Sequence, residues 1–319
     1  MSLSSGNPPA GPEAMTEPAF TVVIPAFNAE ATVGAAVRSV LLQSRQDFEI
    51  VVVDDGSTDG TRDAVRAFAD SRVRLIQQAN LGPGAARNAG VHAGTAPFLS
   101  MLDSDDLWLP DYLERMGEVL AREPDAGFAY TDAWVIDDRQ RVRRTTAMAY
   151  QRPPQETMIE PHRMTLLLAE RNFIFTAATI RRTVFDEVGG FDERLWNGED
   201  RHLWLKIASA GYRGARVPAV LAIRRHRTDS LTGDAARALQ NGILFFEVVC
   251  SEHPDHAVRE IAARERTVWE RRLHAIEQPT PTMWLLARAK RVRSSWRARS
   301  LWIDEPPATV AETLRAVAG

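Results

Sequence analysis

Three carboxylates, Asp103, Asp105 and Asp106, close the short apolar run Phe98-Leu99-Ser100-Met101-Leu102. An apolar run of this length with polar flanks predicts a buried strand. Its acids then stand at the strand's C-terminal end, the edge at which open α/β sheets bind ligands. Asp103 and Asp105 are one residue apart, so on an extended segment both point to one side. Two oxygen donors so placed suit a hard divalent cation that also binds a diphosphate. Asp54 and Asp55 end a second apolar run, where a carboxylate can accept from a pyrimidine ring N–H or a ribose hydroxyl. Glu199 and Asp200 open a predicted helix. Acids there are favoured by the helix dipole, and one of them could act as general base on an acceptor hydroxyl. Arg87 falls one turn into a helix behind the Gly82-Pro83-Gly84 break, within reach of a base or a phosphate. Arg224 and His226 follow a later strand and could steady phosphates and supply a third metal ligand.

Each motif also has an ordinary structural reading. Asp-Asp-Gly-Ser is good turn chemistry, an arginine beside a glycine-rich loop is commonly solvated, and a lone histidine near a strand end is commonly structural. Their order along the chain carries the weight.

The elements that must position these residues follow from periodicity. Apolar runs at 20–24, 48–53, 73–76 and 97–102 predict strands, with helices at 31–41, at 60–68 and from Ala85 between them. Alternation of strand and helix predicts a parallel sheet built from right-handed crossovers. A helix over 110–120, strands over 128–136, 174–180 and 217–223, and a helix over 199–210 follow. The charged, Pro-rich stretch 138–162 predicts a variable loop or hairpin. From Ala235 the pattern is helical, interrupted at Pro254, Pro279-Thr280-Pro281 and Pro306-Pro307. The division expected is a disordered segment over 1–18, an α/β domain over 19–232 and a helical region over 233–319.

Composition narrows the function classes. With 45% hydrophobic and 25% charged residues the chain has the make-up of a soluble globular protein, and a net charge of −3 argues against nucleic acid as partner. One cysteine, Cys250, permits no internal disulfide, which suits a reducing compartment. No run approaches the roughly 18 apolar residues of a spanning helix, and the N-terminus lacks signal-peptide regions. A cytoplasmic protein is expected. Residues 282–303 carry an apolar stripe with six Arg and Lys and no acid, a basic amphipathic pattern that fits peripheral contact with the inner face of a membrane. Strand one is followed by Pro25-Ala26-Phe27-Asn28. The Gly-x-Gly-x-x-Gly fingerprint and the Walker motif are absent, so a dehydrogenase and a P-loop enzyme are disfavoured.

Taken together, Thr21-Val-Val-Ile-Pro-Ala-Phe-Asn28, Ile50-Val-Val-Val-Asp-Asp-Gly-Ser-Thr-Asp59, Gly84-Ala-Ala-Arg-Asn-Ala-Gly90, Leu102-Asp-Ser-Asp-Asp-Leu-Trp108, Gly189-Gly-Phe-Asp192 and Glu199-Asp200 closely resemble the family 2 glycosyltransferases with the GT-A fold. The resemblance covers residues 20–232. It implies an α/β, Rossmann-like, mostly parallel sheet flanked by helices, with the C-terminal helices appended. It also implies inverting, metal-dependent transfer of a sugar from a nucleoside diphosphate sugar to a saccharide or lipid-linked hydroxyl, in polysaccharide, envelope or glycolipid synthesis. The family's most frequent donors make UDP the expected nucleotide. Pro25, Phe27, Asn28, Asp54, Asp55, Arg87 and Ser104 would form the nucleotide pocket. Asp103, Asp105 and His226 would hold Mg²⁺ or Mn²⁺, with Asp105 the more direct ligand, and Asp200 would be the base. Trp108, Glu199 and Arg224 are candidates for acceptor or phosphate contact. The Gln-x-x-Arg-Trp motif and the membrane helices of processive members are missing, which favours single transfers. The rival readings are a sugar nucleotidyltransferase, whose Gly-rich loop after strand one is absent here, and a catalytically silent nucleotide-sugar-binding protein.

Overall fold

The computed structural model describes residues 17–151, 153–154, 156–175, 177–226, 235–278, 302–303 and 306–318. Most of the expected disordered segment 1–18, most of the basic stretch 282–303 and the expected domain boundary at 232 lie outside the described residues. The first half alternates: β1 (Phe20–Ala26), α1 (Val33–Leu41), β2 (Phe48–Asp55), α2 (Thr61–Arg66), β3 (Val73–Gln78), α3 (Pro83–Ala93) and β4 (Phe98–Met101). Then come β5 (Leu107–Trp108), α4 (Tyr112–Arg122), β6 (Ala126–Ile136), β7 (Val142–Arg143), α5 (Ala147–Gln151), β8 (Met158–Ile159) and α6 (Pro161–Glu170). The chain continues through β9 (Ala178–Arg181), α7 (Arg182–Glu187), α8 (Glu199–Ser209) and β10 (Arg213–Arg225). Two long helices, α9 (Ala235–Glu252) and α10 (His256–Glu277), precede β11 (Trp302–Ile303) and α11 (Ala308–Val317).

One sheet runs in the order β11-β7-β6-β9-β4-β1-β2-β3. The four strands β3-β2-β1-β4 are parallel, as strand–helix alternation requires. β9 inserts antiparallel between β4 and β6, and β10 lies parallel to β6. Two reversals restore direction, so β6 and β10 end at the same sheet edge as β1, β2 and β4. The β6–β10 register slips between Arg216 and Val220, around Pro218, which has no N–H to give the ladder. The stretch 138–162 holds two short strands and the one-turn helix α5.

Both faces of the sheet are covered, which is why its strands read as unbroken apolar runs. Along β1, Val23 joins the core beneath α3, α8 and α9, while Val22 and Ile24 join the core beneath α1 and α4. The C-terminal helices belong to this packing. Phe245, Phe246, Val248 and Val249 of α9 and Val258 and Ala262 of α10 share a core with Val23 and Leu99. Each fully buried phenylalanine contributes about 2 kcal/mol of transfer free energy. Val310, Leu314 and Val317 of α11 pack beside Leu107 and Ile223, and Arg38 Nε donates to the Val317 carbonyl at 2.8 Å.

Candidate active site

The C-terminal strand ends enclose a cleft of about 780 Å³. Its lining includes twelve of the fourteen residues singled out from the sequence: Pro25, Phe27, Asn28, Asp55, Arg87, Asp103, Ser104, Asp105, Glu199, Asp200, Arg224 and His226. Asp54 and Trp108 do not line it.

β1 delivers the first corner. Asn28 adopts a left-handed φ of 49°, which asparagine tolerates better than most residues. Its backbone N–H donates to Ser57 Oγ at 3.0 Å, and its Oδ1 accepts from the Thr58 N–H at 2.9 Å. The β1 and β2 loops are thereby stitched together. Phe27 stands 47% exposed at the rim, an aromatic face open to a planar ligand.

β2 separates its two terminal acids, because successive side chains of a strand point to opposite faces. Asp55 turns to the cleft side. Its Oδ1 accepts from Gln78 Nε2 at 2.8 Å and the Leu81 N–H at 2.9 Å, and its Oδ2 accepts from the Gly82 N–H at 2.9 Å. Asp55 thus pins the loop before α3. Asp54 turns the other way, which corrects its assignment to the nucleotide pocket. It is fully buried, accepting from the Ser57 N–H at 3.1 Å and from Arg62 Nε at 2.6 Å. Gly82 sits at φ 94°, and a Cβ there would meet the Trp196 indole at 3.0 Å. The loop therefore needs glycine both for its backbone and for the ring lying against it.

The acids after β4 sit in a turn, not on an extended segment: the Asp106 N–H donates to the Asp103 carbonyl at 3.0 Å. The expectation that Asp103 and Asp105 share one side of an extended strand is corrected, although both line the cleft. Asp106 accepts from the Arg225 N–H at 3.0 Å. Its carboxyl is pushed well above the usual carboxylate range by burial and then by Asp105 and Asp103, with Arg224 opposing. Trp108 is buried and stacks on Tyr112 with ring centroids 3.9 Å apart, so it is unavailable to an acceptor. Leu107-Trp108 pairs with β10, which carries the indole into the core.

α8 opens after Gly198, whose φ of 83° makes the turn that brings Glu199 and Asp200 to the cleft. Arg87, buried on α3, reaches across. Nη1 donates to Glu199 Oε1 at 2.5 Å and Nη2 to Asp103 Oδ1 at 2.7 Å. Burial works against its charge, but Asp103 and Glu199 outweigh burial and hold the guanidinium above its ordinary pKa. The expected contact of Arg87 with a base or phosphate gives way to a bridge between two acids.

Asp200 is differently placed. Arg201 N–H donates to its Oδ1 at 2.6 Å, and Asn172 Nδ2 lies 3.4 Å from its Oδ2. Burial, then the neighbouring Glu199 charge, pushes its carboxyl up to about 6, with Arg201 N–H and Arg87 opposing. That value suits a carboxylate which is ionised near neutrality yet basic enough to take a proton. Arg201 anchors this turn from below. Its Nε and Nη2 donate to the last carbonyls of α6, Leu168 and Ala169, at 2.6 and 2.9 Å, and its guanidinium lies 4.4 Å from the Phe245 ring centroid.

His226 stands exposed at the end of β10, held by its backbone N–H to the Ile136 carbonyl at 2.8 Å. Among the described residues no three His, Cys, Asp or Glu side chains converge to hold a metal ion. The expected trio of Asp103, Asp105 and His226 is therefore not assembled, although all three line the cleft. Several residues escaped the sequence reading: Trp196 on Gly82, Phe175 beneath Arg224, and Arg143 and Arg237 on the cleft lining, with Asn172 beside Asp200. Only Trp196, three residues before Glu199, offered a local signal.

The pattern described as Glycosyl transferase family 2 matches residues 21–189, just over half the chain. The chain belongs to glycosyl transferase family 2. It is 37% identical over 232 residues to the succinoglycan biosynthesis protein ExoO of Rhizobium meliloti, a match covering 71% of this chain and 65% of that one. It is 29% identical over 188 residues to WfgD of Escherichia coli, named as a UDP-Glc:α-D-GlcNAc-diphosphoundecaprenol β-1,3-glucosyltransferase, covering 59% of this chain and 68% of WfgD. The chain thus spans slightly less than two thirds of ExoO. Among solved structures, S. aureus TarS in complex with UDP-GlcNAc superposes with a TM-score of 0.63 at 18% identity, over 82% of this chain and 76% of that one. That likeness concerns the fold, the GT-A arrangement of a helix-flanked sheet with a helical C-terminal region. Membership of that family leaves the nucleotidyltransferase reading without support.

Proposed function

We propose that this glycosyltransferase moves a sugar from a nucleoside diphosphate sugar, a UDP-sugar first of all, to an acceptor hydroxyl with inversion, in the building of an envelope polysaccharide or glycolipid. One observation carries the reading. Asp200 at the start of α8 and the acids Asp103 and Asp105 after β4 line one cleft, and Arg87 ties the two walls together through Glu199 and Asp103. UDP is favoured by the donor in the name of WfgD and by the ligand of TarS.

The nucleoside fits the ends of β1 and β2, where Phe27 offers a ring face and Asp55 Oδ2 retains acceptor capacity beyond its bond to Gly82. Asp103 and Asp105 line the cleft side by side in the turn after β4, and oxygen donors so gathered suit a divalent cation. Asp103 and Asp105 would hold Mg²⁺ or Mn²⁺. Such an ion, when bound, offsets the charge on the departing nucleoside diphosphate. Asp200 takes the acceptor proton as the hydroxyl attacks the anomeric carbon on the face opposite the leaving group. Asn172 and the Arg201 N–H aim its carboxylate. Glu199 is held by Arg87 and does not compete for that proton. One base and one displacement give inversion.

A screen of UDP-, GDP- and dTDP-sugars with Mg²⁺ or Mn²⁺, with the anomeric configuration of the product read by NMR, tests the reading. Retained configuration overturns the single displacement. Nucleotide binding without turnover on any donor or acceptor would identify a binding protein instead.

A further inference from the structure

The stretch that leads into α8 crosses the cleft wall. At one end Trp196 lies against Gly82, whose N–H is held by Asp55, and four residues later Asp200 lies beside Asn172. The indole is laid flat. A Cβ on Gly82 would stand 3.0 Å from Trp196 Cε2, 3.2 Å from Cδ2 and 3.3 Å from Nε1. Near-equal distances to both atoms of the fused bond put that point over the ring face and not at its edge. One face of the indole thus rests on the glycine, while the half-buried ring lines the cleft with Asn197 next to it. Among the described residues neither Trp196 Nε1 nor the Asn197 amide has a hydrogen-bond partner. The turn into α8 is made by Gly198 and anchored in the core by Leu195. An aromatic face beside an uncommitted amide suits a sugar, whose ring C–H groups pack on the one and whose hydroxyls bond to the other.

We propose that Trp196 and Asn197 form the subsite for the transferred sugar, an uncharged hexopyranose, with the indole as platform beneath the ring and the Asn197 amide bonded to ring hydroxyls. This rests on the donor reading above and deepens it. The nucleoside lies at Asp55 and the Gly82 loop, and the anomeric carbon must come within reach of the hydroxyl that Asp200 deprotonates. Trp196 and Asn197 occupy the wall between these two points. The sugar is neutral because the side chains that follow, Glu199 and Asp200, are acids that repel a ring carboxylate. Asn197 can donate to one hydroxyl and accept from its neighbour, so an epimer that leaves the amide unpaired loses affinity.

The test separates the sugar from the nucleotide. UDP, UDP-glucose, UDP-galactose and UDP-glucuronate are titrated by calorimetry with Mn²⁺ and no acceptor. Trp196→Ala and Asn197→Ala should each weaken the tighter-binding of UDP-glucose and UDP-galactose by about tenfold, with UDP itself changed by less than about twofold. Trp196→Phe, which keeps a platform, should recover most of the loss. UDP-glucuronate should bind the parent more weakly than UDP-glucose, and equal affinity overturns the neutral assignment. Saturation-transfer NMR adds a readout that a packing role would not move. Irradiation of the protein's aromatic protons should reach the hexose ring protons in the parent and in Trp196→Phe and not in Trp196→Ala, with the uracil signals unchanged. Thermal unfolding checks that each variant is folded. Equal losses for UDP and the UDP-sugar overturn the proposal and make Trp196 a support for the Gly82 loop. Sugar-nucleotide binding unchanged in both alanine variants overturns it too, and leaves the donor reading standing. Failure of UDP, GDP and dTDP alike to bind the parent would instead bring down the donor reading, and this subsite with it.

Discussion

Arg87 and Glu199 stand 112 residues apart in sequence and meet at 2.5 Å across the cleft wall, and the same guanidinium holds Asp103 at 2.7 Å. α3, the turn after β4 and the start of α8 are thereby fastened at one buried point. The bridge sets the distance between the acidic turn after β4 and the start of α8, which carries Asp200.

Loss of that bridge is expected to cost stability as well as activity. Arg87→Gln leaves two carboxylates without their buried partner, which costs about 3–5 kcal/mol. Arg87→Lys should not restore it, because one ammonium cannot span both acids in the geometry of a planar fork. Urea unfolding of the three proteins checks this. Equal midpoints would show that the bridge is dispensable.

The pH profile should follow Asp200. Its carboxyl is pushed up to about 6 by burial and then by Glu199, and the base must be ionised. kcat should therefore be flat above about pH 7 and fall about tenfold per unit below pH 6. Asp200→Asn should lower kcat by roughly 10²-fold or more with nucleotide affinity little changed. An acidic limb near pH 4 in the parent would point to a different base.

Metal dependence is expected at Asp105. EDTA should abolish turnover and Mn²⁺ should restore it, and Asp105→Ala should remove the Mn²⁺-dependent part of UDP binding. Full activity in chelator would overturn the assignment.

The two acids of β2 should separate cleanly. Asp54→Ala strips a buried turn of its hydrogen bonds and leaves Arg62 unpartnered, lowering stability by about 1–3 kcal/mol. The donor KM of the folded variant should stay within about twofold, since Asp54 faces away from the cleft. Asp55→Ala should raise donor KM by about tenfold or more through loss of one bond to the end of β3 and two to the loop before α3. Matching KM values would undo the distinction.

Residues 282–303, most of them outside the described region, carry the proposed membrane contact. Truncation is a poor probe, because α11 beyond them packs in the body of the protein. Replacing Arg288, Arg291, Arg293 and Arg297 by Gln should abolish low-salt co-sedimentation with phosphatidylglycerol vesicles, at about 1 kcal/mol per charge. Unchanged sedimentation would leave the stripe as packing.

The sequence by itself determined the four parallel strands β1 to β4, whereas β9 and β10 begin and end away from the runs expected over 174–180 and 217–223. Unbroken apolar runs such as 50–53 mark strands buried on both faces, and the acids that end them mark the binding edge. These are local properties of consecutive residues, so they are legible without a fold. The tertiary structure decided the rest. Adjacent Asp54 and Asp55 had to part, but only the orientation of β2 in the sheet decided which one meets the cleft. Arg87 looked available to a ligand until α8 brought Glu199 to it. Trp196 against Gly82, Asn172 beside Asp200 and Phe245 beneath Arg201 join residues far apart in the chain. The order β6-β9-β4-β1, which spacing along the chain does not encode, gathered the arginines of β7 and β10 on one side of the acidic turn. Side chains distant in sequence meet only once the strands have chosen their neighbours, and that choice is made by packing of the whole sheet against its helices.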